Sequence, residues 1–203
     1  MRATTRRELL AGPAGKIECA VDEPGGAPRG IALIAHPHPL FGGTLDNKVV
    51  QTLARAFVEL GYSAWRPNFR GVGATEGAHD EGRGESEDLI AVLSHLQEKK
   101  LPGAAKPVLA GFSFGAAMQT KVAARIAPER MVLVGLAVNK FAAPPVPADT
   151  MLIHGEKDDT APLANVMAWA LPQDLPVIVV PGADHFFHRR LNILRAIVRN
   201  NWR

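Results

Sequence analysis

The stretch Lys106-Pro107-Val108-Leu109-Ala110-Gly111-Phe112-Ser113-Phe114-Gly115-Ala116-Ala117-Met118-Gln119-Thr120 decides how this chain is read. A short apolar run, Pro107 to Ala110, breaks at Gly-x-Ser-x-Gly and resumes as an Ala-rich segment that favours helix. A strand that turns into a helix within a few residues brings the two so close that side chains two residues on either side of the serine collide. Glycine at both places, Gly111 and Gly115, relieves that crowding. Ser113 is then held in a strained turn at the carboxyl edge of a sheet, its hydroxyl exposed and the positive end of the next helix aimed at it. In this setting the pentapeptide reads as a nucleophile elbow rather than as a glycine-containing loop.

Outward from the elbow, short apolar runs alternate with segments of helical period. The runs are residues 30–35, 62–65, 108–110, 131–134, 151–153 and 177–180. This alternation predicts an α/β protein with a parallel sheet between helices on both faces, most of the runs being apolar throughout as doubly covered strands should be. Val49, Val50, Leu53, Phe57 and Leu60 form one amphipathic face, with Gly61 as its stop. Leu89, Val92, Leu93 and Leu96 form a second, entered through acidic Glu85-Ser86-Glu87-Asp88, and Leu191, Leu194, Ile197 and Val198 form the last. Residues 7–21 read as an antiparallel hairpin at the sheet edge, turning at Gly12-Pro13-Ala14-Gly15. Proline-rich Ala142 to Pro147 is a surface connection, so one domain is expected over residues 1–203.

Composition agrees with a globular domain: 203 residues, 47% hydrophobic and 21% charged, enough apolar chain to bury a core. Net charge is +3, and the arginines between Arg189 and Arg203 read as the solvated face of the last helix, so no nucleic-acid partner is expected. The single cysteine, Cys19, cannot form an internal disulfide. No apolar stretch approaches the roughly 20 residues of a membrane span, and no membrane partner is expected. Gly12, Pro13 and Gly15 interrupt the apolar patch that follows the N-terminal basic residues, so no secretory signal is expected and the cytoplasm is the default location.

A serine hydroxyl needs a base, and the base needs a carboxylate to orient it. In the chain order Ser, acid, His, the acid follows a later strand and the histidine follows the last one. Met151-Leu152-Ile153-His154-Gly155-Glu156-Lys157-Asp158-Asp159 and Val177-Ile178-Val179-Val180-Pro181-Gly182-Ala183-Asp184-His185 supply them. Asp158 is preferred to Asp159, because Asp159 and Thr160 stand where they would cap a helix starting at Ala161-Pro162-Leu163. Among seven histidines His185 leads. His188 falls at the expected start of the last helix, His154 reads as a structural strand-end residue, and His79 and His95 as surface or helix-face residues.

His36-Pro37-His38 lacks the carboxylate or cysteine set of a recognisable metal site, and no metal is expected there. The loop after this strand and Phe114 are expected to supply the two N–H donors of an oxyanion hole. Proline cannot donate, which leaves His38 first and Leu40 second. Arg66 and Arg70 read as salt-bridge partners of the glycine-rich loop ahead of substrate contacts.

These blocks resemble the α/β-hydrolase superfamily over nearly the whole chain, and in particular its small lidless bacterial members with a dienelactone-hydrolase-like core. The likeness rests on His36-Pro37-His38-Pro39 with Gly42-Gly43-Thr44 and Asn47-Lys48-Val49-Val50, on Arg66 to Gly73, on Gly111 to Gly115, on His154-Gly155 with Asp158, and on Gly182 to Phe187. It implies a three-layer α/β-hydrolase fold, an eight-stranded, mostly parallel sheet and a Ser113-Asp158-His185 triad. Many relatives have His-Gly where this chain has His36-Pro37, and dienelactone hydrolases carry cysteine where it has Ser113, so their substrate is not inherited.

The expected reaction is acyl transfer from a small-molecule ester through an acyl-enzyme, with no cofactor. Between residues 138 and 151 the connection is too short to fold as a cap domain, so the site should be open. Leu40, Phe41, Phe112, Phe141 and Phe186 are expected to line an aromatic pocket suited to short acyl groups, with Asn139 and Lys140 beside them. A thioesterase, a peptide hydrolase and a non-catalytic binding module are the competing readings. Monomer and homodimer are equally compatible with the sequence.

Overall fold

The computed structural model describes residues 5–202. The first four residues of the N-terminal segment and Arg203 of the C-terminal arginine cluster lie outside the described residues. An eight-stranded sheet runs β1 (Thr5–Gly12), β2 (Gly15–Asp22), β4 (Tyr62–Pro67), β3 (Gly30–Ala35), β5 (Val108–Phe112), β6 (Met131–Val134), β7 (Met151–Gly155) and β8 (Val177–Val180) in spatial order. β2 pairs antiparallel with both β1 and β4, and every other neighbouring pair is parallel. The expected hairpin therefore joins the parallel strands at one edge, its register fixed by the Gly12–Gly15 turn.

Side-chain alternation along β3 explains the three layers. Ile31, Leu33 and Ala35 face one core, with α2 (Arg83–Glu98), α3 (Phe114–Ala123) and α4 (Leu163–Ala170). Ala32 and Ile34 face the other, with α1 (Lys48–Glu59) and α5 (Leu191–Asn201). α1 shows how local chemistry sets an element's limits. Asn47 Oδ1 accepts the N–H groups of Val49 (2.9 Å) and Val50 (3.4 Å), and Gly61, at φ +88°, ends the helix in a conformation that penalises a Cβ.

Two expectations about elements fail. β8 is half-exposed rather than covered on both faces, because it is the sheet edge opposite β1 and only β7 flanks it. α4 begins at Leu163 with Pro162 at its cap, so neither Asp159 nor Thr160 caps it. Cys19 is buried in the core, where loss of solvation pushes its thiol up to about 12.

The elbow is built as the spacing requires. Ser113 sits at φ 56°, ψ −117°, a region costly for any side chain, and its N–H is tied to Val134 O at 2.9 Å. A Cβ on Gly111 would lie 2.5 Å from Gly115 O, and one on Gly115 would lie 2.5 Å from His36 O. Both obstacles are backbone, which cannot rotate away. Gly115→Ala is therefore expected to destabilise the fold by about 3 kcal/mol, read as a lowered urea midpoint with an unchanged slope. An unaltered midpoint would show that β3 and α3 have slack here. Gln119, fully buried, reinforces this packing by donating to Leu33 O (2.9 Å) and Ala110 O (3.0 Å), which ties α3 to β3 and β5.

Candidate active site

Three parallel strands deliver the chemistry to one rim. Ser113 stands between β5 and α3, the loop after β7 carries Asp158, and the loop after β8 carries His185. His185 Nε2 lies 3.0 Å from Ser113 Oγ, and His185 Nδ1 lies 2.7 Å from Asp158 Oδ2. All three side chains are buried to within a few per cent, and the His185 ring packs against Phe112 (4.8 Å between centroids) and Phe186 (5.1 Å). The histidine is thus held between its partners by aromatic walls.

The two later loops fix each other. Lys157 N–H donates to Ala183 O (2.8 Å), Glu156 N–H to Val180 O (3.1 Å), and Gly182 N–H to Glu156 Oε2 (2.7 Å). Asp158 is positioned by its own loop: Oδ1 accepts Thr160 N–H (3.0 Å) and Ala161 N–H (2.7 Å), leaving Oδ2 for His185. Asp158 therefore has a structural task as well, holding its own loop through Oδ1, and elimination on structural roles does not separate it from Asp159; its contact with His185 does. His154, buried at the strand end, donates from Nε2 to Ala161 O at 2.7 Å and braces the same loop, while burial pulls its pKa down.

The loop after β3 is pinned on both sides. His36 is fully buried, with Nδ1 2.7 Å from Pro37 O and Nε2 accepting Phe69 N–H at 2.9 Å. Both ring nitrogens are thus committed to backbone partners, and this arrangement suits only the neutral imidazole, with the proton on Nδ1. Burial lowers the His36 pKa from 6.5 to about 4 against the smaller opposing influence of Pro37 O. The sign follows directly: between these values the unfolded chain takes up a proton that the native state refuses. Stability supplied here is complete above pH 6.5 and lost as pH falls towards 4, by about 3 kcal/mol in all. The thermal midpoint is expected to drop steadily over that window and to drop less in His36→Gln; parallel profiles for the two would contradict this assignment.

His38 and Phe114 N–H have no protein acceptor among the described residues, whereas Leu40 N–H is engaged by His38 Nδ1 at 3.3 Å. Leu40 is thereby removed as the second donor. It is also removed from the pocket: a cavity of about 310 Å³ beside Ser113 and His185 is walled by Phe41, Phe141, Phe186, Ala137 and Lys140, with His38 and Asn47 at the same wall. Leu40 points to solvent at 68% exposure, because the single 3-10 turn after His38 sends consecutive side chains apart. Phe112 is completely buried beneath His185, because the last residue of β5 faces the core shared with α1 and α5. Asn139 turns away to donate to Thr160 O at 3.3 Å.

The other polar expectations divide. Arg66 donates from Nε and Nη2 to Asp22 Oδ2 (3.1 and 2.8 Å), and Arg70 makes two 2.8 Å bonds to Asp88, so both are structural as expected. His79 is not a surface residue. Its Nδ1 lies 2.7 Å from Glu85 Oε1, outside hydrogen-bonding direction, and its ring packs on His38 at 4.8 Å. Glu85, fully buried, accepts the N–H groups of Asp80 and Gly82 (2.8 Å each), a larger task than complementing a helix end. His188 precedes α5 and pairs with Asp184 rather than starting the helix.

Strand order, elbow and the Ser-acid-His sequence along the chain define an α/β hydrolase. No family model matches the chain. A serine hydrolase homologue from Coxiella burnetii is 37% identical, with all of each chain covered and a TM-score of 0.89. XC6422 from Xanthomonas campestris, a serine hydrolase without a lid, is 32% identical over 99% of this chain and 94% of its own, with a TM-score of 0.92. The uncharacterized protein RP471 of Rickettsia prowazekii (strain Madrid E) is 35% identical over 193 residues, covering 87% of this chain and 79% of that protein. The chain belongs to the α/β-hydrolase superfamily and, within it, to the lidless serine hydrolases.

Proposed function

We propose that this protein hydrolyses carboxylic esters of small acyl groups through an acyl-enzyme on Ser113. The observation that carries the reading is the unbroken line from Asp158 Oδ2 through both nitrogens of His185 to Ser113 Oγ, at 2.7 and 3.0 Å. With its proton on Nδ1, facing the carboxylate, the imidazole presents the Nε2 lone pair to the serine hydroxyl. As Oγ attacks the ester carbonyl, Nε2 takes the hydroxyl proton and Asp158 stabilises the imidazolium. The C–O bond to the alcohol then breaks, and Nε2 returns the proton to the departing oxygen. Water, deprotonated by the same nitrogen, releases the acid and restores Ser113.

The tetrahedral oxygen would be received by the N–H of Phe114, first in α3, and by that of His38. An alkoxide is a much better leaving group than an amide nitrogen, and the pocket beside Ser113, about 310 Å³ and lined chiefly by aromatic side chains, suits a small acyl group. A panel of matched acetyl to octanoyl esters, thioesters and amides tests the reading. Ester kcat/KM is expected to exceed that of amides by at least about a thousandfold, a gap of roughly 4 kcal/mol in barrier, and to peak at short chains. A thioester preference of comparable size would overturn the ester assignment and leave the triad in place.

A further inference from the structure

Hydrogen-bond donors outnumber acceptors among the side chains on the pocket wall, and among the described residues the wall carries no carboxylate. Lys140 lines the cavity and has no acidic partner among the described residues, in contrast to Arg66 and Arg70, which are each consumed by an aspartate. Asn47 commits its carbonyl oxygen to the first N–H groups of α1, so its remaining polar group is the amide NH2. His38 accepts Leu40 N–H at Nδ1, which places its proton on Nε2 as a further donor. Thr160 adds a hydroxyl that can donate or accept, and the remaining side chains beyond Ser113 and His185 are apolar, chiefly Phe41, Phe141, Phe186 and Ala137.

We infer that the substrate of this site is an ester with an apolar acyl chain ending in a carboxylate, which Lys140 selects across the pocket from Ser113. The inference rests on the ester-hydrolase reading above. With a neutral ester the exposed ammonium keeps only water as its acceptor, whereas a terminal carboxylate supplies it with an opposite charge and leaves lone pairs for the flanking donors. One ammonium beside two neutral donors balances a single negative charge. Phosphate-bearing ligands, which carry close to two charges, would exceed it. Burial, ahead of the neighbouring His79 and Lys140 and against the pull of Glu85, lowers the pKa of His38, the direction that favours its neutral ring.

The test compares 4-nitrophenyl hexanoate with the 4-nitrophenyl monoester of adipic acid, which differ by the terminal carboxylate. For the wild type, kcat/KM for the adipate is expected to exceed that for the hexanoate by roughly tenfold, the worth of one solvent-exposed charged hydrogen bond. This preference should weaken with added salt, because Lys140 is exposed. Lys140→Met should bring the ratio near unity, Lys140→Arg should retain most of it, and Lys140→Glu should invert it. A wild-type ratio near unity, or a preference that survives both Lys140→Met and Lys140→Glu, overturns the inference while hydrolysis of both esters leaves the ester reading standing. If a folded wild type cleaves neither ester, the ester reading falls and this inference falls with it.

Discussion

Ser113→Ala is expected to lower ester turnover on the order of 10⁶-fold while leaving the fold intact. Loss of Oγ removes the group that His185 Nε2 contacts at 3.0 Å, and neither Thr160 nor Lys140, which also line the cavity, is hydrogen-bonded to that imidazole. The alanine keeps a Cβ at a position already at φ 56°, so the strained turn and its tie to Val134 O persist. Burst kinetics separate chemistry from folding here. The wild type should show a rapid release of the first alcohol followed by slower turnover if deacylation limits, and the variant should show neither phase. A variant retaining more than a tenth of wild-type activity would place the nucleophile elsewhere.

Asp158→Asn is expected to lower kcat on the order of 10⁴-fold with little loss of stability. The reason lies in the loop rather than in charge alone. Oδ1 of Asp158 receives Thr160 and Ala161 N–H, so an asparagine must leave its oxygen there and turn its NH2 towards His185. Nδ1 of the imidazole then has to accept, its proton moves to Nε2, and the lone pair needed by Ser113 is lost. The ring is kept in place and its tautomer is reversed. Asp159, exposed and outside this network, serves as the control: Asp159→Asn should leave the rate unchanged. Equal losses at both positions would show a general effect of charge near the pocket.

Much of the fold was legible in the sequence because a doubly covered strand has to be an apolar run. β3, β6 and β8 coincide with the runs at residues 30–35, 131–134 and 177–180. Edge position was harder to read, since β8 carries the same valine-rich pattern as a central strand although only one neighbour shields it. That Ser113, Asp158 and His185 meet at one rim was legible because each one closely follows a strand and stands near a glycine that lets the chain turn, a pattern set by the backbone. Side-chain direction within loops was not. Phe112 and Phe186 look alike in the sequence, yet one lies under His185 and the other walls the pocket. Buried polar residues were least legible of all. Gln119 and His79 owe their roles to partners as distant as Leu33 and His38, and no local pattern marks such pairings.

The central claim is that Ser113 is made nucleophilic by His185 and Asp158, and the most direct measurement is covalent capture by a fluorophosphonate probe read by intact mass and peptide mapping. One adduct per chain, on the peptide that contains Ser113, is expected for the wild type, with labelling much slower in Asp158→Asn and lost in Ser113→Ala. A correctly folded wild type that takes no label, or takes it on another residue, would contradict the account.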